Sequence, residues 1–498
     1  MTPMNVLIIL LYLVAMVSVG LWASRRARNA EDYRVAGRRL GPGFYTGTMA
    51  AVVLGGASTV GGVGLGYTYG ISGMWLVVAI ATGLAALSLL FAGRIQSLKV
   101  FTVSQMLQLR YGERGGAKAS SFVMLAYTVM LSVTSTSAYA AIFSVLLPLD
   151  RTWAILLGGV VVVAYSVLGG MWSITLTDMM QFVLMTVGLF LVLLPFSLSA
   201  AGGWSGLGER LDASFFTWGG MGTQAIITQF VVYGFGMLIG QDIWQRVFTA
   251  RSPRVARWGG LGAAGYVALY GVAGAVIGMS AAAVVPELSS PDDAFATMAQ
   301  QYVPAGLGGI VLAAGVAAMM STASGALIAA ATVARVDVVP TLRSLGRRDA
   351  VPAPEGTAEA LRGDRLYVLV FGVVITAISI FVSDTVTALT IAYDILVGGL
   401  LVAILGGLVW RRGTGLGAAL SMLVGSVVTV GSMAVFGVLA NAPIYLGLLS
   451  SALVYVVVSL LTRPTHAGVL QHWDERIAAS RRGPGADDPT AGRAEARS

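Results

Sequence analysis

Runs of about 20 apolar residues recur along almost the whole chain, each long enough to cross a hydrocarbon layer of about 30 Å as a helix. A backbone in lipid must satisfy its own hydrogen bonds, so such a chain folds as a bundle of transmembrane helices. A membrane β-barrel would show short alternating segments instead. Composition agrees: 11% of the residues are charged and mean hydropathy is +0.81, where soluble domains carry roughly 25% charged residues. There is no cysteine, and the two histidines, His466 and His472, lie in the C-terminal tail. Disulfides, thiolate metal sites and histidine catalysis within the membrane are thereby excluded. No HExxH, GxSxG or paired-carboxylate arrangement is present, so neither an enzyme nor an organic cofactor is expected. The first apolar run, Met4–Trp22, has no charged leader and no A-x-A site, and reads as a retained helix, not a signal peptide.

Thirteen spans are expected, at about 4–23, 44–71, 74–96, 120–148, 153–171, 174–199, 221–242, 256–285, 303–334, 366–383, 385–410, 414–437 and 440–462. Loop charge tests that count. With the N-terminus outside and the C-terminus cytoplasmic, the inside loops collect Arg25, Arg26, Arg28, Arg34, Arg38 and Arg39, then Arg94, Lys99, Arg110, Arg114 and Lys118. Further inside loops hold Arg246 to Arg257, Arg335 to Arg348, and Arg411 with Arg412. Among basic residues only Arg151 and Arg210 fall outside. One span too many or too few would scramble this bias. The net charge of +8 is therefore topology and not a nucleic-acid footprint. Residues 1–465 are expected to form one membrane-embedded domain, partnered by the lipid bilayer. Residues 466–498 are read as a cytoplasmic tail, disordered after a short amphipathic piece. Residues 340–364 are read as a mobile connector. The scarcity of lysine (two, against 29 arginines) suggests a bacterial plasma membrane through composition alone. Oligomeric state is not specified.

The second span contains AVVLGGASTVGGVGLGYTYG, residues 51–70, with seven glycines and no charge. Glycine in a membrane helix permits close packing, and Gly62, Gly66 and Gly70 fit that use. It also permits a break, which frees carbonyl groups to bind a cation where they face a cavity. Span 9 carries hydroxyls at matching depth: Ala318, Ser321 and Thr322 share one face by i, i+3, i+4 spacing. Those hydroxyls could serve an ion or simply bond back to their own helix.

Several separate stretches carry a resemblance. EDYRVAGRRLG (31–41), the GYTYG that ends span 2, FTVSQMLQLRYG (101–112), GGMWSITLTDMMQ (169–181), GQDIWQRVFTARS (240–252) and AAMMSTAS in span 9 together resemble the sodium:solute symporter family, over about residues 5–462. The resemblance implies an all-α polytopic protein with a leucine-transporter-like core of two inverted five-helix repeats, spans 2–6 and 7–11. Spans 2 and 7 would be broken, and spans 1, 12 and 13 peripheral. It implies Na+ as coupling ion, held by carbonyls of Ala51, Leu54 and Ala318 and hydroxyls of Ser321 and Thr322. A second sodium, present in some members, would use Asp178 and Ser324. Gly325 stands where those members have serine, and Asp178 could equally pair with an inside arginine.

For the solute, Asp394 is the one carboxylate deep in a span, about nine residues into span 11. It could face the cavity beside Tyr393, carry a proton, or be structural. Ser58, Thr59, Gln229, Tyr233 and Phe235 are further cavity candidates. Without a dense polar cluster, a small apolar, amine-bearing or zwitterionic solute fits better than a sugar. Gln241, Asp242, Gln245 and Arg246 could form an inner gate with Arg94 or Asp178. Proton coupling through Asp178 or Asp394 is the alternative to sodium.

Overall fold

The computed structural model describes residues 3–112, 116–146, 149–345, 357–382 and 385–479. Almost every described stretch is helical, and the one bridge between extended residues joins Leu40 to Ala250. Ten described helices are long and apolar enough to cross a membrane, or eleven if a pair bent by 45° at Gly240 is one span. The count falls short of thirteen because helical hydrogen bonding runs on through two turns. Segments 56–97 and 151–200 are 42 and 50 residues long, about twice what a bilayer needs. Both reverse at a glycine in the left-handed region, Gly70 (φ 62°) and Gly170 (φ 54°). No Cβ fits at either: at Gly70 it would lie 2.1 Å from the Phe215 carbonyl oxygen, and at Gly170 2.5 Å from that of Tyr33.

The first helices are α1 (Pro3–Ser24), α2 (Ala30–Val35), α3 (Pro42–Val53), α4 (Gly56–Tyr69), α5 (Trp75–Ala86), α6 (Ala117–Ser137) and α7 (Arg151–Met185). The second half follows as α8 (Thr223–Ile239), α9 (Gln241–Thr249), α10 (Pro253–Val284), α11 (Leu307–Val333), α12 (Ala358–Phe381), α13 (Thr385–Val409), α14 (Gly415–Phe436) and α15 (Ala442–Leu461). A short helix, α16 (Ala467–Ala479), ends the described chain. It lies where the amphipathic piece was expected; residues 480–498 of the tail and 346–356 of the 340–364 connector lie outside the described residues, and the connector's described ends are mostly helical.

Burial ranks the helices. The apolar stretch of α11 is 94% buried, against 33% for α1 and α14 and 28% for α15. Span 9 is thus the axis of the bundle; the first and last two spans lie toward its rim, as do the 151–200 segment and α12, both also 33% buried. Small residues make that axis possible, since Ala313–Ala318 and Ala329–Ala331 let neighbours close in from all sides.

Glycine does the same between α4 and α10. A Cβ on Gly66 would sit 2.5 Å from the Ala275 carbonyl oxygen, and one on Gly278 2.2 Å from that of Val63. The two backbones touch directly, so the packing use of this span's glycines is real alongside the break. Gly66→Ala is expected to cost about 1–3 kcal/mol through overpacking. Gly61→Ala, with nothing within 4 Å, should stay within about 0.5 kcal/mol. Thermal melts of the two variants in detergent check this; equal melting would refute the backbone contact.

Candidate ion and solute site at two helix breaks

The first break falls inside the glycine-rich span. α3 stops at Val53, Leu54 (φ −97°, ψ 74°) and Gly55 (φ −88°, ψ −163°) leave helical geometry, and α4 restarts at Gly56. The local cause is steric. A Cβ on Gly55 would lie 2.8 Å from Oγ1 of Thr322 on α11, so only glycine lets the break close onto that hydroxyl. In the restarted helix Thr59 N–H is bonded to the Gly55 carbonyl at 3.0 Å. By helix geometry the N–H groups of Gly56, Ala57 and Ser58 have no acceptor within the turn.

The second break is at Gly240 (φ −58°, ψ 128°), between α8 and α9. A Cβ there would meet Asp242 Oδ1 at 2.9 Å and the Tyr127 hydroxyl at 3.1 Å. Tyr127 donates to Asp242 Oδ1 at 3.2 Å. The two breaks open on one cavity. Gly55 to Ser58 form one wall, Tyr233, Met237 and Asp242 another, with Thr134 and Ser135 of α6, Thr322 of α11 and Tyr393 of α13 between them. A second, wider cavity shares Ala57, Leu76 and Tyr233 with the first and leads away past Gln229, Thr228 and Thr390 to Asp292. The site therefore adjoins, across a shared wall, a cavity on the side of the bundle that bears the acidic loops.

The opposite, arginine-rich end is closed. Leu40 and Arg251 are tied backbone to backbone. Gln241 Nε2 donates to the Phe101 carbonyl at 3.0 Å, and Gln245 Nε2 to that of Arg34 at 2.8 Å. The expected inner network is present with Asp178 as the partner: Arg246 Nη2 lies 3.0 Å from Asp178 Oδ2, and both side chains are fully buried. Arg94 takes no part, since its guanidinium donates to the Leu408 carbonyl.

Hydroxyls on α11 meet this ion pair and the first break together. Thr322 Oγ1 donates to the Val52 carbonyl at 2.7 Å, and Ser321 Oγ to Asp178 Oδ1 at 2.6 Å. Both protons are thus committed elsewhere, which leaves oxygen lone pairs, the part a hard cation needs. Ala51, Leu54, Ala318 and Ser321 are wholly buried and Thr322 nearly so. Of the second set, Ser324 bonds back to the Ser321 carbonyl at 3.1 Å. Asp178 is already held by Arg246, Ser321 and Thr48. A Cβ on Gly325 would lie 3.1 Å from Arg246 Nη2, so the guanidinium fills the flank a second cation would need. The residues present do not fit a second sodium.

The solute candidates divide. Ser58, Tyr233 and Tyr393 line the cavity, and Gln229 lines the outer one. Thr59 instead accepts from Tyr270 of α10 at 3.2 Å. Phe235 is 40% exposed and turns away: Tyr233 and Met237, four apart, face the cavity, so a residue midway between them points to the opposite side. Asp394 is buried, but Leu389 and Tyr393 supply this helix's cavity wall; its Oδ1 has no hydrogen-bond partner among the described residues. Sequence reasoning placed Asp242 in a gate and passed over Thr134 and Ser135. The signal for Asp242 was its place just past the second break, as Ser58 follows the first.

Residues 33–425 match the sodium:solute symporter family. The chain belongs to that family. This sodium:solute symporter is 24% identical, over 93% of its length and 94% of the relative's, to the sodium/proline symporter of Staphylococcus aureus (strain JH9), and the same figures hold for strain NCTC 8325 / PS 47. Its fold matches that of a Na+-coupled sialic acid symporter solved in a substrate-bound outward-open state, with TM-score 0.80, 17% identity and coverage of 93% and 99% of the two chains. A nucleobase-cation-symport-1 family transporter aligns at TM-score 0.54 with 16% identity, covering 90% and 99%. The protein is thus a multi-pass, sodium-coupled solute symporter and not an enzyme.

Proposed function

We propose that this symporter imports a small zwitterionic, amino-acid-like solute across the bacterial plasma membrane together with one sodium ion, by alternating access. The observation that carries the sodium assignment is the pair of α11 hydroxyls whose protons are already bonded, to the Val52 carbonyl and to Asp178, which leaves their lone pairs for a cation. Ala51, Leu54 and Ala318 would add carbonyls. The thirteen-span division is supported by cutting the two long helical segments at Gly70 and Gly170 and counting the pair bent at Gly240 as one span; the arginine bias supports an outside N-terminus and a cytoplasmic C-terminus, and the two inverted repeats rest on the family membership.

The solute assignment rests on opposite charges across one cavity. The unpaired N–H groups that start α4 suit a carboxylate. Asp242, facing them from α9, suits an ammonium group. That the relatives are sodium/proline symporters supports a solute of this size and charge. Sodium would stabilise the break, the solute would bridge it to Asp242, and the two would favour each other's binding because both close the same pair of helices.

Proton coupling is the second reading. Asp178 is committed to Arg246, so Asp394, with its unpartnered oxygen, is the residue that would carry it. Uptake of radiolabelled proline and other small amino acids into proteoliposomes separates the readings. An inward sodium gradient should drive accumulation and a proton gradient should not. Asp242→Asn should raise KM for an amine-bearing solute about 10- to 100-fold, matching one lost charge-assisted bond of about 1.5–3 kcal/mol. An unchanged KM would remove Asp242 from the site.

A further inference from the structure

The arginine-rich end of the bundle holds an open basin that the transport reading does not use. It lies where α1 ends and α2 begins, and is lined by Arg25, Arg26, Arg28, Asn29, Asp32, Arg39 and Trp172. Four guanidinium groups face one carboxylate there. Asp32 is already bridged to Arg39 and accepts from the Arg28 backbone N–H at 3.4 Å. The side chains of Arg25 and Arg28 have no acidic partner among the described residues. Arg26 lies over two rings, 4.8 Å from the centre of Trp22 and 5.5 Å from that of Trp172. The indole N–H of Trp172 has no acceptor among the described residues. Like charges held together without counter-charge repel, and an anion placed among them relieves that cost.

The basin's position says what kind of anion. Leu7, Leu11, Val14 and Leu21 of α1 are each at least half exposed, and their spacing of four, three and seven puts them in one stripe down the helix. Continuing that stripe by four residues reaches Arg25. In a membrane protein an exposed apolar stripe faces acyl chains, and Trp22, 51% exposed at its foot, marks the interfacial layer. Headgroup-binding charges therefore sit directly beneath a lipid-facing groove.

We propose that this basin binds the phosphate headgroup of an anionic phospholipid of the cytoplasmic leaflet, whose acyl chains lie along the exposed stripe of α1; the leaflet rests on the orientation proposed above. The bound lipid has a route to the transport core. Tyr33, on the helix beside the basin, donates to the carbonyls of Ser166 and Val167 at 3.1 and 3.2 Å, just before α7 turns at Gly170. Arg39 leads within three residues into α3, the first half of the broken span. A headgroup seated on Arg25, Arg28 and Arg39 fixes the hinge from which α3 starts.

Thermal melting of the purified full-length transporter in mixed micelles tests this. Dioleoylphosphatidylglycerol should raise the melting temperature in a saturable way, while dioleoylphosphatidylcholine and inorganic phosphate at the same concentration should not. Arg25→Gln/Arg28→Gln should need about 30-fold more phosphatidylglycerol for half of the effect, at about tenfold or less per arginine. Both side chains are exposed, so this variant is expected to fold. Arg257→Gln is the matched control: that arginine also lies over an exposed tryptophan, 5.7 Å from Trp258, but outside the basin, and its loss should leave the dependence unchanged. Three results would each overturn the proposal. They are equal effects of the two lipids, a double variant that responds like wild type, or an Arg257→Gln variant that is equally impaired. A matching rise with inorganic phosphate would overturn the lipid and make the basin a site for a soluble phosphoanion.

Discussion

Arg246→Gln is expected to cost about 3–5 kcal/mol of stability, the penalty for stranding a buried charge. Asp178 is fully buried, and Arg246 is the cation beside it. Removing the guanidinium leaves a carboxylate whose remaining donors are two neutral hydroxyls, Ser321 and Thr48. These cannot offset the loss of hydration. The double variant Asp178→Asn/Arg246→Gln should recover most of the loss, because a neutral amide pair needs no counter-charge. Thermal melts of the single and double variants in one detergent give the coupling between the two positions. A single variant as stable as wild type would mean that Asp178 is not charged in the folded protein.

The same ion pair bears on coupling. A tethered guanidinium sits where a second cation would sit. In this structure the positive charge that neutralises Asp178 belongs to the protein, which is the observation behind the proposal of one sodium per solute.

What the sequence disclosed and what it withheld follow from range. The bundle, its charge bias and the break at Leu54–Gly55 are written in local patterns: apolar run length, loop arginines and glycine density. The α11 hydroxyl face was legible because i, i+3, i+4 spacing is a property of one helix. The partner of Asp178 was not, since Arg246 lies 68 residues away and the loops on that side carry many arginines. Phe235 was misplaced because residue type was read without facing: two residues from Tyr233 and two from Met237, it lies on the far side of the helix from the wall they form. Asp242 was found but assigned by depth alone, and depth does not distinguish a gate from a cavity wall. Thr134 and Ser135 were missed for a further reason. Hydroxyls in a long apolar helix usually bond their own backbone, and only the packing of α6 against both breaks gives these two an open face.

Ser321→Ala/Thr322→Ala is expected to abolish measurable sodium binding. Each hydroxyl offers a lone pair to a full charge, an interaction of about 1.5–3 kcal/mol, so each single variant should weaken sodium about 10- to 150-fold. The two singles should differ in a second respect. Thr322→Ala leaves the neutral Val52 carbonyl, at the edge of the break, without its donor, a smaller stability cost than taking a donor from a buried carboxylate. Ser321→Ala also strips a donor from Asp178, and should lower stability even in potassium. Ser324→Ala provides the contrast, because that hydroxyl bonds back to the Ser321 carbonyl and lies outside the five ligand positions, so its loss should leave the sodium response intact. The readout is the sodium concentration giving half of the maximal thermal stabilisation, since an ion that binds the folded state raises its melting temperature by mass action. A sodium response that survives in the double variant would place the ion elsewhere in the bundle, and the break at Gly55 would then serve the solute alone.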